Sequence, residues 1–193
     1  MIVRPAFVRD APRVAELHAT RITTGFLASL GPRFLRLLYR RAARSPHAFV
    51  LVAEERELVA GFVAGASHVG RFYRSFLVRD GLAAAVVAAP RLARSPRKVV
   101  ETLRYPAATS ELPDAEILAT AVDTSFARRG IGRRLVEAGV GELVHRGISA
   151  AKVVAGRDNE AAIRLYEQCG FTPAARIAVH AETPSQVLVW HSS

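Results

Sequence analysis

The sequence predicts a mixed α/β domain: a twisted, mostly antiparallel sheet flanked by helices. Three observations carry that expectation. "AEILATAV" (115–122), an amphipathic run from Gly130 to Arg146 and "AAKVVAG" (150–156) read as a strand, helix, strand unit. Two apolar runs, 48–53 and 58–66, flank the charged turn Glu54 to Glu57 as the arms of an antiparallel hairpin. Two further β-rich stretches close the chain. With 193 residues, half of them apolar, one sizeable core and one domain spanning 1–193 are expected.

Each element has a local reason. "MIVRPA" is β-compatible, and Asp10 stands where a helix N-cap would, ahead of Val14, Leu17 and His18 on one helical side. A second helix is expected in "SLGPRFLRLLYRRAA" (29–43), with Pro32 in its first turn and Phe34, Leu37 and Leu38 at helical spacing. After the hairpin, residues 71–112 change texture. Gly81, Pro90, Pro96 and Pro106 cut them, which predicts two or three short helices inserted between the third and fourth strands. The apolar stretch Leu82 to Ala89 should pack on the domain, on a second subunit in a homodimer, or on a membrane surface. From residue 114 the pattern is clean: Gly147 stops the long helix, and a shorter helix runs from Asp158 or Asn159 to Cys169. Gly170 and Phe171 close it as a glycine cap with an apolar contact. "FTPAARIAVH" and "SQVLVWH" are the last two strands.

Charge and composition exclude several functions. The net charge of +10 could suit nucleic acid, but only Lys98 and Lys152 are lysines and the excess is arginine spread through an Ala- and Val-rich chain, so no nucleic-acid partner is expected. One cysteine, Cys169, and six singly scattered histidines give neither a disulfide framework nor metal-ligand spacing, so no metal is expected. The longest apolar run, Gly81 to Pro90, is far below the roughly 20 residues that cross a bilayer. No transmembrane segment or signal peptide is expected, which predicts a cytoplasmic protein.

The chemistry is concentrated in "SFARRGIGRRLVEAG" (125–139). Free amides at a helix start form an anion site, glycine lets a phosphate approach the main chain, and Arg128, Arg129, Arg133 and Arg134 add charge. That combination suits a diphosphate. Neither G-x-x-x-x-G-K-[ST] nor a G-x-G-x-x-G after the first strand is present.

"AEILATAVDTSFARRGIGRRLVEAG" followed by "RDNEAAIRLYEQCGF" resembles the acetyl-coenzyme A signature of the GCN5-related N-acetyltransferase (GNAT) superfamily, over about residues 115–172. The resemblance implies a GNAT fold whose strand 115–122 pairs with the pantetheine arm of acetyl-CoA. It also implies that the turn of Arg128, Arg129, Gly130, Ile131, Gly132 and Arg133 holds the pyrophosphate. Tyr166 would be the general acid for the departing thiolate and Glu116 a general base. The amides of Ala121 and Val122 would hold the thioester carbonyl, and Asn159 would cap its helix or touch pantetheine. Ala127 stands where the family usually has Gln or Arg, and Val154 where members that acetylate ribosomal proteins carry a glutamate. The implied reaction moves an acetyl group to a primary amine, expected to be a small molecule such as an amino sugar. Residues 68–76, with His68, Arg71, Tyr73 and Arg74, would suit a phosphate or carboxylate on that acceptor. A protein N-terminal or lysine acetyltransferase acting on a peptide, or a non-catalytic coenzyme A-binding regulatory module, are the alternatives.

Overall fold

The computed structural model describes residues 1–23, 26–92, 112–180 and 183–192. Its strands are β1 (Ile2–Pro5), β2 (Ala48–Glu55), β3 (Leu58–Ala66), β4 (Glu116–Val122), β5 (Ala150–Gly156), β6 (Thr172–His180) and β7 (Thr183–His191). Its helices are α1 (Ala11–Arg21), α2 (Phe26–Leu30), α3 (Pro32–Ala42), α4 (Val69–Leu92), α5 (Ile131–His145) and α6 (Glu160–Gln168). The strands form one sheet in the order β1-β2-β3-β4-β5-β7-β6. β4 and β5 are parallel and every other neighbouring pair is antiparallel.

Helices cover both faces, which explains why the hairpin strands are apolar throughout rather than alternating. On β2, Ala48, Val50 and Val52 pack with α1, α3 and α4, while Phe49, Leu51 and Ala53 pack with α5. On β3, Phe62 and Ala64 belong to the first core and Ala60 and Val63 to the second.

Two expectations change. Residues 69–92 are one helix rather than several, with Gly81 and Pro90 inside it. Its buried stripe is Phe72, Phe76, Ala84 and Ala88 at multiples of four, and Asp80, in the same stripe, accepts a 2.6 Å bond from Arg41 Nε of α3. That tertiary stripe outweighs the weak helix propensity of one glycine, which costs about 1 kcal/mol. Of the stretch Leu82 to Ala89, Ala84 and Ala88 pack inward while Leu82 and Val86 stay exposed. The breaks expected at Pro96 and Pro106 lie outside the described residues. The helix expected with Pro32 in its first turn is α3, which Pro32 opens; Gly31 before it has a φ of +84° that only glycine adopts without strain. Asp10 precedes α1 without capping it: its carboxylate accepts instead from the Phe7 amide and Arg4 Nη1, each at 2.7 Å. Among the described residues no helix is long and apolar enough to cross a membrane.

The close approach of β3 to β4 depends on Gly61, where an added Cβ would lie 2.8 Å from the Ala121 carbonyl oxygen. Gly61→Ala should therefore lower stability by about 1–3 kcal/mol, because a backbone atom must move. Gly141, on α5 with nothing within 4 Å of a would-be Cβ, should behave oppositely. Gly141→Ala should stabilise by about 1 kcal/mol through helix propensity. Urea denaturation of the two variants checks both signs.

Candidate active site

β4 and β5 stay in register only at Glu116↔Lys152 and Ile117↔Val153, with the Lys152 amide donating to Ala115 O at 2.9 Å. Beyond Ile117 the ladder ends and a slot opens between two parallel strands. At that point β4 carries a bulge. Its register against β3 steps from Gly65↔Ile117 to Ala64↔Ala119, so Leu118 is the extra residue. The Asp123 amide bonds Ala60 O of β3 at 2.8 Å. Alternation back from it turns the peptide group of Ala121 to β3 and those of Thr120 and Val122 to the slot. The Val122 amide therefore faces the slot, whereas that of Ala121 belongs to the β3 ladder; the bulge and strand parity that decide this leave no mark in the sequence.

Both parallel strands end at the mouth of the slot, so the helices that follow them start there. The turn after β4 is tied down by Asp123, which accepts from the Ser125 amide (2.9 Å) and hydroxyl (2.6 Å) and pairs with Arg13. The Ser125 bonds, aided by Arg13, hold the Asp123 carboxyl at about 2. Arg128 (φ +60°) and Gly130 (φ +70°) are left-handed, and nothing lies within 4 Å of a Cβ built on Gly130. The first helical bond of α5 is Arg134 N to Gly130 O at 3.2 Å, so the amides of Ile131, Gly132 and Arg133 have no acceptor within the helix. The Ile131 side chain is buried and anchors the turn. At Gly132 a Cβ would face Leu165 of α6 at 3.4 Å, so its smallness also serves helix packing. The arginines are only partly available. Arg128 is exposed, Arg129 bonds Glu55 at 2.8 Å beside the Phe126 ring, and Arg133 bonds Glu137 at 2.7 Å.

α6 brings Tyr166 to the slot. Asn159 caps the helix, its Oδ1 accepting from the Ala162 amide at 3.1 Å. At the other end Gly170 (φ +86°) lets the Phe171 amide reach Tyr166 O at 3.1 Å and the Gly170 amide reach Glu167 O at 3.0 Å, a Schellman closure. The Phe171 ring then packs on the Tyr166 ring, 5.6 Å between centroids. Burial pushes the Tyr166 phenol above its ordinary range, opposed by the neighbouring Thr120 hydroxyl, so it is protonated at neutral pH. Thr120 was not singled out in the sequence; its only signal is a hydroxyl within an apolar strand.

Glu116 lies at the closed end of the slot. It is buried, with Oε2 3.6 Å from Lys152 Nζ, and Lys152 also donates to Pro113 O. Its charge helps raise the pKa of Tyr166 on one face of the sheet and, after burial, that of Tyr73 on the other. Lys152 was missed as a site residue, although a lysine inside "AAKVVAG" is a visible irregularity.

On the face away from Tyr166, a narrow cleft lies between α2, α3, α4 and the bulge of β4. Leu27, Leu38, Phe72 and Leu118 line it, with Tyr39 and Tyr73. Behind Tyr39, at 2.5 Å, is Nδ1 of His18, a buried imidazole stacked on Phe62 (centroids 6.4 Å apart, 19° between planes). Desolvation lowers the His18 pKa to about 4.

The model of the "Acetyltransferase (GNAT) family" matches residues 16–171. Ribosomal protein bS18-alanine N-acetyltransferase of Salmonella typhimurium is 43% identical over 63 residues, which are 33% of this chain and 43% of that protein. Mycothiol acetyltransferase of Streptosporangium roseum is 40% identical over 60 residues, 31% of this chain and 18% of that protein. The chain therefore spans less than half of either curated relative. In structure it is similar to yncA from Salmonella typhimurium, solved with its cofactor acetyl-CoA, at a TM-score of 0.65 and 20% identity over 99% of this chain and 93% of that one.

The buried His18 ties stability to pH. Its folded pKa of about 4 lies below the ordinary 6.5, so between those values only the unfolded chain takes up the proton. Stability is complete above pH 6.5 and falls towards pH 4, by about 3 kcal/mol at 1.36 kcal/mol per unit. Denaturation midpoints between pH 7 and pH 4 should fall less steeply in His18→Gln than in the wild type. Equal slopes would show that His18 titrates in the folded protein as it does in water.

Proposed function

Because the chain belongs to the acetyltransferase (GNAT) family, we propose that it transfers the acetyl group of acetyl-CoA to a primary amine. We read residues 1–193 as one such domain, with 71–112 as its insertion. The observation that carries the reading is the slot between β4 and β5, whose free edge offers the amides of Thr120 and Val122 to an extended chain. An open glycine turn lies at its mouth and a buried, protonated phenol along its wall. A pantetheine arm fits such an edge, and a diphosphate fits amides with no helical acceptor beside a position where no Cβ intrudes.

Bound acetyl-CoA supplies a thioester whose carbonyl carbon accepts the amine nitrogen as the bond to sulfur breaks. The residues of the chain do the rest. The amides of Ile131, Gly132 and Arg133, with the exposed Arg128, hold the diphosphate. The Val122 amide polarises the carbonyl. Tyr166 gives its phenolic proton to the departing sulfur, and Glu116 takes the proton that nitrogen sheds. The acceptor is proposed to be a small molecule, with amino sugars among the candidates. One relative is named for a ribosomal-protein alanine and another for mycothiol, over stretches of similar length, so those matches do not favour one acceptor. Val154 speaks against a peptide acceptor handled as in the ribosomal enzymes.

Thiol release measured across a panel of primary amines tests the proposal. Tyr166→Phe should lower kcat by about 100-fold or more while the calorimetric Kd for acetyl-CoA stays within a few-fold. An unchanged kcat would remove Tyr166 from the mechanism, and failure of the wild type to bind acetyl-CoA would overturn the function.

A further inference from the structure

The reaction as described leaves one buried polar pair without a part. His18 on α1 and Tyr39 on α3 are 3% and 4% exposed, and each packs against Phe62 of β3. Two polar rings in an apolar core are costly unless they satisfy each other, and His18 Nδ1 and Tyr39 Oη do so at 2.5 Å. Tyr39 also forms part of the cleft wall, beside Leu118 and Ala119. It therefore stands on the far side of the β4 bulge from Tyr166, at the level where the slot begins.

The protonation states leave two neutral groups with one hydrogen between them, which we take as the phenol's. Desolvation keeps His18 neutral at pH 7, and burial keeps the hydrogen on the Tyr39 phenol. With the phenol donating to Nδ1, the imidazole hydrogen sits on Nε2 and Tyr39 Oη keeps its lone pairs at the edge of the cleft that Tyr39 lines. An oxygen acceptor in an otherwise apolar wall matches the N–H of an uncharged amine, whereas an ammonium group would be penalised by desolvation. Among the described residues the lining gives nothing to pair with the several hydroxyls of a sugar beyond Tyr39 and Tyr73. Arg71 and Arg74, which suggested an anionic acceptor in the sequence, are exposed and are not among the residues that line the cleft.

We infer that Tyr39, held in place by His18, anchors the N–H of an acceptor amine whose body is apolar, at the bulge of β4. The inference rests on the acetyl-transfer reading and narrows its acceptor. Tyr39 touches the substrate, and His18 is a positioning residue that acts through it. With its N–H on Tyr39, the amine's lone pair is left to face β4, where the thioester is proposed to lie. The cleft is tight, with room for about one water, so Phe72 and Tyr73 of α4 must swing aside to admit the amine.

The test uses the full chain with 15N-labelled histidine, acetyl-CoA, and benzylamine as the apolar probe. At pH 7 His18 should appear as the neutral ring protonated on Nε2, and benzylamine should shift its Nδ1 resonance. Tyr39→Phe should abolish that response and raise the benzylamine KM about tenfold, the effect of one lost hydrogen bond, with the acetyl-CoA KM unchanged. His18→Gln, whose side-chain carbonyl can still accept from the phenol, should keep the KM near the wild-type value, whereas His18→Phe should behave like Tyr39→Phe. A hydrogen on Nδ1, an unchanged KM in Tyr39→Phe, or turnover of glucosamine but not of benzylamine would overturn the inference. Acetyl-CoA binding without acetylation of benzylamine defeats this inference alone, while absence of acetyl-CoA binding defeats the transfer reading beneath it.

Discussion

The parallel pairing of β4 with β5 stops after two register positions, and the rest of the molecule is arranged around that interruption. A strand edge inside a sheet leaves amides and carbonyls that must find partners elsewhere, so the gap persists only because each strand is held from its other side. β4 is paired with β3 from Gly61↔Val122 to Ala66↔Glu116, and β5 with β7 along all seven residues from Ala150↔His191 to Gly156↔Ser185. At the closed end, Glu116 and Lys152 face each other in register, both buried. Removing one partner of such a pair leaves a buried charge and typically costs about 3–5 kcal/mol. The pair thus makes the point where the strands separate an expensive one to move.

The site follows from this geometry. Two parallel strands that end together place the starts of α5 and α6 on the same mouth, with their free amides and dipoles directed at it. The Gly170 closure of α6 sets the Tyr166 ring against Phe171 and beside Thr120, facing the slot from one side of the sheet. The bulge at Leu118 turns the other side towards α3 and α4, where Tyr39, Tyr73 and the apolar cleft lie. One sheet therefore separates the face of Tyr166 and the glycine turn from the face of Tyr39 and the apolar cleft, with the slot between them.

Much of this was legible in the sequence because it is local. The hairpin, the strand, helix, strand unit, the glycine turn at Gly130 and the cap at Gly170 and Phe171 each depend on residues a few positions apart. What was not legible depends on register or on distant contacts. The single helix α4 needed the stripe from Phe72 to Ala88 and the Asp80–Arg41 bond to outweigh Gly81. The turning of Ala121 away from the slot depends on the bulge, and the Glu116–Lys152 pair on strand order. Arg129 and Arg133 looked free in the sequence, but Glu55 and Glu137 answer them. The His18–Tyr39 pair joins two helices and leaves no motif at all.

Hydrogen–deuterium exchange of the backbone, with and without saturating acetyl-CoA, tests the central claim most directly. If the slot receives an extended arm, the amides of Thr120 and Val122 should gain strong protection on binding, together with Ile131, Gly132 and Arg133, while Ala121, already in the β3 ladder, should change least. Acetyl-CoA binding that leaves Thr120 and Val122 exchanging as before would contradict the slot as the coenzyme site.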